Sequence, residues 1–245
     1  MEPYLNQEQL DYIHAHIPEN IRLLESLGRI PAPSHQEDQR AAFVKAWLEK
    51  EGAQGVYIDK AKNVVYPLGC EGEGPVVVIM AHTDIVFPDT GELPLRVEGG
   101  RMFAPGIGDD TANLVQLLMS VKYVLSRRLT PACGIVFVAN ACEEGLGNLQ
   151  GCRAIVDAYG ERIQEFLSFD GYTGCVTDNA VGSHRYEVTV RTAGGHSYHN
   201  FGNANAIYYL SSMIQTLYEK QVPKEAKTTY NVGTIAGGTT VNSIA

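Results

Sequence analysis

The sequence predicts an α/β fold in which a mainly parallel sheet is flanked by helices and followed by a second, smaller α+β domain. Three features carry that expectation. Residues 75–81 read Pro-Val-Val-Val-Ile-Met-Ala, an almost wholly apolar run bounded by turn residues, as expected of a strand buried on both faces. Apolar runs at 134–140 and 166–169 follow, with a helical repeat between the first two, and such alternation of strand and helix implies parallel pairing. Near residue 182 the pattern changes: His184-Arg185-Tyr186-Glu187-Val188-Thr189-Val190-Arg191 alternates polar with apolar residues, as a strand with one wet face does. The expected domains are therefore residues 1–182 and 183–245.

In chain order, Ser34-His35-Gln36-Glu37 has the form of a capping box. Phe43, Ala46, Trp47 and Lys50 then recur at helical spacing until Gly52, so a helix anchored by Trp47 is expected. Residues 56–68, interrupted by Asp59-Lys60-Ala61-Lys62-Asn63, read as a hairpin leading into the strand at 75–81. After a Gly/Pro-rich loop over 87–108, Leu114, Leu117, Leu118, Val121 and Leu125 mark one face of a helix. Cys133 and Cys142 flank the strand near 134–138 and fit small buried residues better than nucleophiles. Phe166-Leu167-Ser168-Phe169 is expected to be another core strand and runs straight into Asp170. In the second domain, Ala206, Ile207, Leu210, Met213, Ile214 and Leu217 form the apolar face of a helix, and residues 230–236 read as a strand that turns at Gly237-Gly238.

With 245 residues and 44% hydrophobic content, the chain can build sizeable cores. Its formal charge of -9, from 28 acidic against 19 basic residues without a Lys/Arg-rich tract, argues against nucleic acid as a partner. The stretch Met1-Glu2-Pro3-Tyr4-Leu5-Asn6-Gln7-Glu8 lacks the basic-then-apolar pattern of a secretory signal, and no apolar run approaches a bilayer span. A cytoplasmic protein without a membrane partner is expected. Cys70, Cys133, Cys142, Cys152 and Cys175 are odd in number and include no Cys-x-x-Cys pair, which suits reduced thiols.

The chemistry lies in an ordered acidic series. His82-Thr83-Asp84 sits just past the first buried strand, and Asp109-Asp110, Glu143-Glu144 and Asp170 follow. Taken singly, such residues are helix caps or hydrogen-bonded structural groups. Gathered at one sheet rim, where open α/β sheets place their ligands, the carboxylates would repel and lose hydration unless a cation neutralised them. A metal is the economical explanation. The adjacent pair Glu143-Glu144 would let one carboxylate bind metal while its neighbour handles protons.

Together, His82-Thr83-Asp84, Gly106-Ile107-Gly108-Asp109-Asp110, Glu143-Glu144, Asp170 and Gly194-Gly195-His196-Ser197 resemble the M20 family of metallopeptidases, most of all its peptidase T-like, aminopeptidase branch. The resemblance runs from about the helix near 37–50 to the last residue. It implies a zinc-binding, exopeptidase-like catalytic domain interrupted by a lid or dimerisation domain with a ferredoxin-like α/β sandwich. Position by position, it implies Asp109 as the carboxylate bridging two zinc ions, His82 and Asp170 on one metal, and Glu144 on the other. Glu143 becomes the general base and acid, and Asp84 the carboxylate that orients the His82 imidazole. The implied activity is hydrolysis of amide bonds in short peptides by a metal-bridging hydroxide. His196 is implied to reach the active site, often that of a partner subunit, and to hold the oxyanion, while Asn242 is implied to contact substrate. Carboxylate-rich sites of this kind also accept cobalt or manganese.

Two departures accompany the resemblance. Thr111 stands where family members usually carry Lys after the paired aspartates. The family's last zinc-ligand His follows the lid in a segment that is not in this chain, so the lid is expected to be partial and the chain to be one part of a longer polypeptide or of a split enzyme. The expected partners are a short peptide or N-acyl amino acid substrate, and either a second copy paired through the lid or a complementary C-terminal fragment. Two alternatives stand beside the peptidase: an N-acyl amino acid deacylase with the same two-metal site, and an inactive domain that binds one zinc and serves in assembly.

Overall fold

Val76–His82 shows why the sheet forms where it does. Successive side chains point to opposite faces, and both faces are covered. Val76, Val78 and Met80 pack with Val65, Val136, Val138 and Ile155 on one side. Ala81 and the partly buried Ile79 join Leu27, Val44, Leu48, Leu114 and Leu118 on the other. Each fully buried aliphatic side chain of this kind contributes about 1.5–3 kcal/mol, enough in sum to hold helices on both faces. The computed structural model describes residues 4–172 and 174–245; Met1, Glu2 and Pro3, which begin the stretch whose composition bears on a secretory signal, lie outside them.

The chain divides into two compact units, Met1–Cys175 and Val176–Ala245. In chain order the first contains α1 (Gln7–Gly28), α2 (Asp38–Lys50), β1 (Tyr57–Ile58), β2 (Val64–Leu68), β3 (Val76–His82), β4 (Arg96–Glu98), β5 (Arg101–Phe103), α3 (Ala112–Ser126), β6 (Gly134–Asn140), α4 (Gln150–Tyr159) and β7 (Ile163–Phe169). The main sheet runs β1-β2-β6-β3-β7. Its centre is parallel, β3 pairing with β6 on one side and β7 on the other, while the hairpin of β1 and β2 adds antiparallel strands beyond β6. Parallel register sets His82 opposite Asn140 and Ala81 opposite Phe169, so the carboxyl ends of three strands open onto one edge. Helices α1, α2 and α3 supply the core on one face and α4 supplies Ile155 on the other.

Several expectations need correction. The segment Ser34 to Glu37 is not a capping box: α2 starts after Glu37 without a side-chain cap, because Ser34 and Glu37 are engaged far away in sequence. The buried face of α2 is Arg40, Ala41, Val44 and Leu48, with Trp47 only partly buried against the core. Among the described residues β7 pairs with β3 alone, at the edge of the sheet rather than in its core, and Phe166, Leu167 and Phe169 are exposed. Helices α1 and α4 were not anticipated. The true capping box belongs to α1, where the Asn6 side chain accepts from the Gln9 amide at 2.9 Å and the Gln9 side chain accepts from the Asn6 amide at 2.8 Å.

In the second unit, β8 (Gly195–His196) pairs antiparallel with β9 (Ser243–Ile244), and α5 (Ala206–Tyr218) begins at an Asn205 cap. The strands expected at 184–191 and 230–236 are absent among the described residues: both segments lack ladder partners, and a strand exists only through the neighbour that takes its backbone hydrogen bonds. No helix among the described residues is long and apolar enough to cross a membrane.

The connection between β6 and α4 is tightly packed. The Asn63 side chain accepts from the Ala141 amide at 2.9 Å and donates to the Gly151 carbonyl at 2.9 Å. A Cβ on Gly151 would lie 2.2 Å from the Ala141 oxygen and 2.3 Å from Asn63 Oδ1. Gly151→Ala is therefore expected to lower the unfolding free energy by about 1–3 kcal/mol, read from the urea midpoint at unchanged m-value. A midpoint equal to that of the wild type would contradict this packing.

Candidate metal centre

The last residue of β3 brings an imidazole to the open edge of the sheet. His82 is almost fully buried, and its Nε2 lies 3.2 Å from Asp109 Oδ1 and 4.0 Å from Asp170 Oδ1. Asp170 directly follows β7, and Asp109 and Asp110 lie in the turn that leads into α3, joined by a cis peptide bond. Two sets of donor atoms gather within 4.8 Å of one another: His82, Asp109, Asp110 and Asp170 in one, and His82, Glu143 and Glu144 in the other. His82 thus belongs to both sets. Asp110, which the sequence reading left without a role, joins the first. Its buried carboxylate accepts from the His82 amide at 3.0 Å and from Asn113 Nδ2 at 2.5 Å, so it is held from two elements.

Asp84 meets His82 through a different atom from the one the resemblance implies. Its main-chain oxygen accepts from His82 Nδ1 at 2.9 Å, whereas the nearer carboxylate oxygen is 3.5 Å away. The carboxylate instead accepts from the Glu143 amide at 2.9 Å, the Glu144 amide at 3.0 Å and the Ser34 hydroxyl at 2.7 Å. The short reach of an aspartate explains the exchange: its backbone turns under the imidazole while its side chain spans to the next strand end. Asp84 fixes the His82 tautomer through its carbonyl and the glutamate turn through its carboxylate.

Behind this layer lies a buried guanidinium. Arg40 Nη1 donates to the Thr83 oxygen at 2.8 Å and to Thr111 Oγ1 at 3.2 Å, and Nη2 donates to the oxygens of Leu27 at 3.1 Å and Ile30 at 2.7 Å. Burial lowers its pKa to about 10, against the pull of Asp84, so it stays charged at neutral pH. Thr111, the residue that departs from the family pattern, receives this cation and donates to the Gly106 oxygen at 2.7 Å. Ser34, Glu37 and Arg40 each reach partners remote in the chain, which local spacing in the sequence does not signal.

The titration of the site follows from its crowding. Burial resists charge on His82, but the nearby carboxylates of Asp84, Asp110 and Glu143 outweigh it and push the imidazole up to about 10. Burial pushes Asp110 up to about 7, with Asn113 and His82 opposing. Burial also raises Glu143, Glu144 and Asp170, and their neighbouring carboxylates add to the rise while His82 opposes it. Asp84 goes the other way: burial works against its charge, yet the hydrogen bonds it receives hold it below the ordinary aspartate range. The edge therefore carries more negative charge than one imidazolium balances. A donor set of one imidazole nitrogen and several carboxylate oxygens fits a divalent cation.

His196 and Asn242 lie in the second unit, where the β8–β9 pairing brings them together. His196 faces Ser243 in the ladder, and the Ser197 amide donates to the Asn242 oxygen at 2.9 Å. The His196 side chain is exposed, and its Nδ1 accepts from the Tyr198 amide at 3.2 Å.

A family model described as peptidase family M20/M25/M40 matches residues 78–243. A Pyrococcus abyssi protein provisionally named LysW-lysine/LysW-ornithine hydrolase is 32% identical over 137 residues, which are 56% of this chain and 36% of that protein. The succinyl-diaminopimelate desuccinylase of Corynebacterium glutamicum is 29% identical over 196 residues, 79% of this chain and 53% of the enzyme. The matches thus span about a third to a half of the length of these curated relatives. A Staphylococcus aureus tripeptidase of known structure shares the fold at a TM-score of 0.55 and 17% identity, over 92% of this chain and 62% of its own. The family match starts inside β3, ends in β9 and takes in the whole acidic edge, well over half of the chain, which belongs to peptidase family M20/M25/M40.

Proposed function

We propose that this chain carries the metal-binding part of a hydrolase that cleaves amide bonds in short peptides. The observation that carries the reading is the convergence of Asp109, Asp110, Asp170, Glu143 and Glu144 on the one imidazole of His82, in a chain of this family. His82, Asp109, Asp170 and Glu144 are the residues assigned to hold metal, two zinc ions in the complete site, with cobalt or manganese as substitutes. Bound there, divalent cations supply charge stabilisation for the developing oxyanion and lower the pKa of the attacking water.

The chain's own groups do the rest. Glu143, half-buried and with its pKa raised by burial and by neighbouring carboxylates, takes a proton at its carboxylate and returns it to the leaving amine. Asp84 keeps that carboxylate and its neighbour in place through their amides. His196 and Asn242, neighbours in the second unit, are assigned to the oxyanion and to substrate. A second copy paired through the second unit, or a complementary fragment, is the protein partner in this reading. The five cysteines, which lack a pairing motif, support a cytoplasmic setting. A second reading, hydrolysis of an N-acyl amino acid by the same residues, is favoured by the desuccinylase among the relatives.

Replacing Glu143 with Gln is expected to reduce turnover of a dipeptide and tripeptide panel about 10²–10⁴-fold while bound metal is unchanged. Turnover retained in that variant would remove the proposed base. Metal binding is also expected to depend on pH with a defined sign. A metal takes the neutral imidazole, whereas His82 in the metal-free protein holds its proton up to about pH 10. Loading at pH 7–9 therefore displaces that proton, and the apparent affinity for zinc rises about tenfold per pH unit in calorimetric titrations. An affinity that is flat across this window would mean that His82 gives up no proton on loading.

A further inference from the structure

The turn that presents Glu143 and Glu144 is built from an unfavourable backbone. Cys142, a residue with a side chain, sits in the left-handed region at φ 54°. Such a conformation costs on the order of 1–3 kcal/mol and persists only where its surroundings over-determine it. Four tethers do so here. The Cys142 amide donates to Glu37 Oε1 at 3.1 Å, the Glu143 and Glu144 amides donate to Asp84, and the Cys142 oxygen accepts from the Gln150 amide at 3.1 Å.

Of these, Glu37 stands apart from the acidic edge. It is fully buried, and its Oε1 also accepts from the His35 amide at 2.9 Å and from the Cys142 thiol at 3.2 Å, while Oε2 has no hydrogen-bond partner among the described residues. His35 closes the group, with Nδ1 3.3 Å from Cys142 Sγ. A carboxylate buried with one oxygen bare is costly, and what it receives in return is one end of the glutamate turn.

We infer that Glu37 is a positioning residue: together with Asp84 it clamps three consecutive amides, Cys142 through Glu144, and so sets where the two glutamate side chains point. Glu37 holds the first amide and Asp84 the next two, from opposite ends of the turn. Neither the capping role read from the sequence nor the metal set accounts for Glu37. The inference deepens the proposed function and rests on it for the effect on turnover, but the clamp itself is readable without metal or substrate.

The test is site-resolved amide hydrogen exchange on the metal-free full chain, comparing Glu37→Ala, Glu37→Asp and Glu37→Gln with wild type, using the β6 amides of the same molecules as reference. Ala removes the acceptor and Asp shortens its reach. In both, the amides of Cys142, Glu143 and Glu144 are expected to exchange about tenfold or more faster than in wild type relative to β6, as the loss of a buried hydrogen bond implies. Gln keeps an acceptor oxygen and is expected to stay within about threefold of wild type at these amides, a rescue that general loss of stability would not produce. In the metal-loaded protein, kcat should fall with the same ranking and KM should move little. Wild-type exchange at all three amides in a folded Ala or Asp variant would overturn the clamp. So would an unfolded Ala, Asp and Gln set, which would make Glu37 a determinant of the whole fold. Absence of turnover in wild type would count against the proposed function and leave the exchange result to decide the clamp.

Discussion

The structure of the site depends on one buried carboxylate. Asp84 sits at the end of β3, and its side chain accepts the amides of Glu143 and Glu144 from the end of β6. Through its main chain it also receives His82 Nδ1. One residue therefore couples the imidazole to the paired glutamates, and two neighbouring strands of a parallel sheet become one surface. Its charge is tolerated in the interior because amides, a hydroxyl and the nearby Arg40 guanidinium face it. Leaving that charge with any of these partners missing would cost several kcal/mol, so the arrangement is self-consistent only as a set.

Around that anchor the charge balance points outward. The carboxylates of Asp109, Asp110, Asp170, Glu143 and Glu144 crowd a single imidazole. Against its burial, Asp84, Asp110 and Glu143 raise the pKa of that imidazole, while burial favours protonation of Asp110, Asp170, Glu143 and Glu144. The edge gathers more negative charge than one imidazolium balances, and burial leaves that charge poorly hydrated. A divalent cation would relieve it, and the oxygen-rich donor set fits one. The parallel register of β3 with β6 and β7 is what delivers these groups to one side of the sheet.

Much of this was legible in the sequence, for identifiable reasons. β3 and β6 are buried on both faces and so appear as continuous apolar runs, and α3 shows its Leu114, Leu118 and Val121 stripe. The acidic series was readable because each member follows a strand or opens a helix. Long-range hydrogen bonding was not. Ser34 and Glu37 mimic a local cap in the sequence while their side chains bind Asp84 and Cys142, and Arg40 looks like an ordinary surface residue of a helix although it is fully buried. Helix α1 escaped because only Leu23, Leu27 and Gly28 of its residues are buried, with Ile13, Ile17 and Ile21 exposed. The strands expected in the second unit failed for another reason: alternation marks residues that can form a strand, and among the described residues no neighbour takes up their backbone hydrogen bonds.

The measurement that bears most directly on the account is metal content per chain, by elemental analysis of the purified protein together with its native mass. At least one zinc, cobalt or manganese ion per chain, retained through gel filtration and lost when His82 is replaced by Ala, is the expected result. Protein that stays metal-free after incubation with each of these ions, at full fold, would contradict the central claim that the acidic edge is built around a cation.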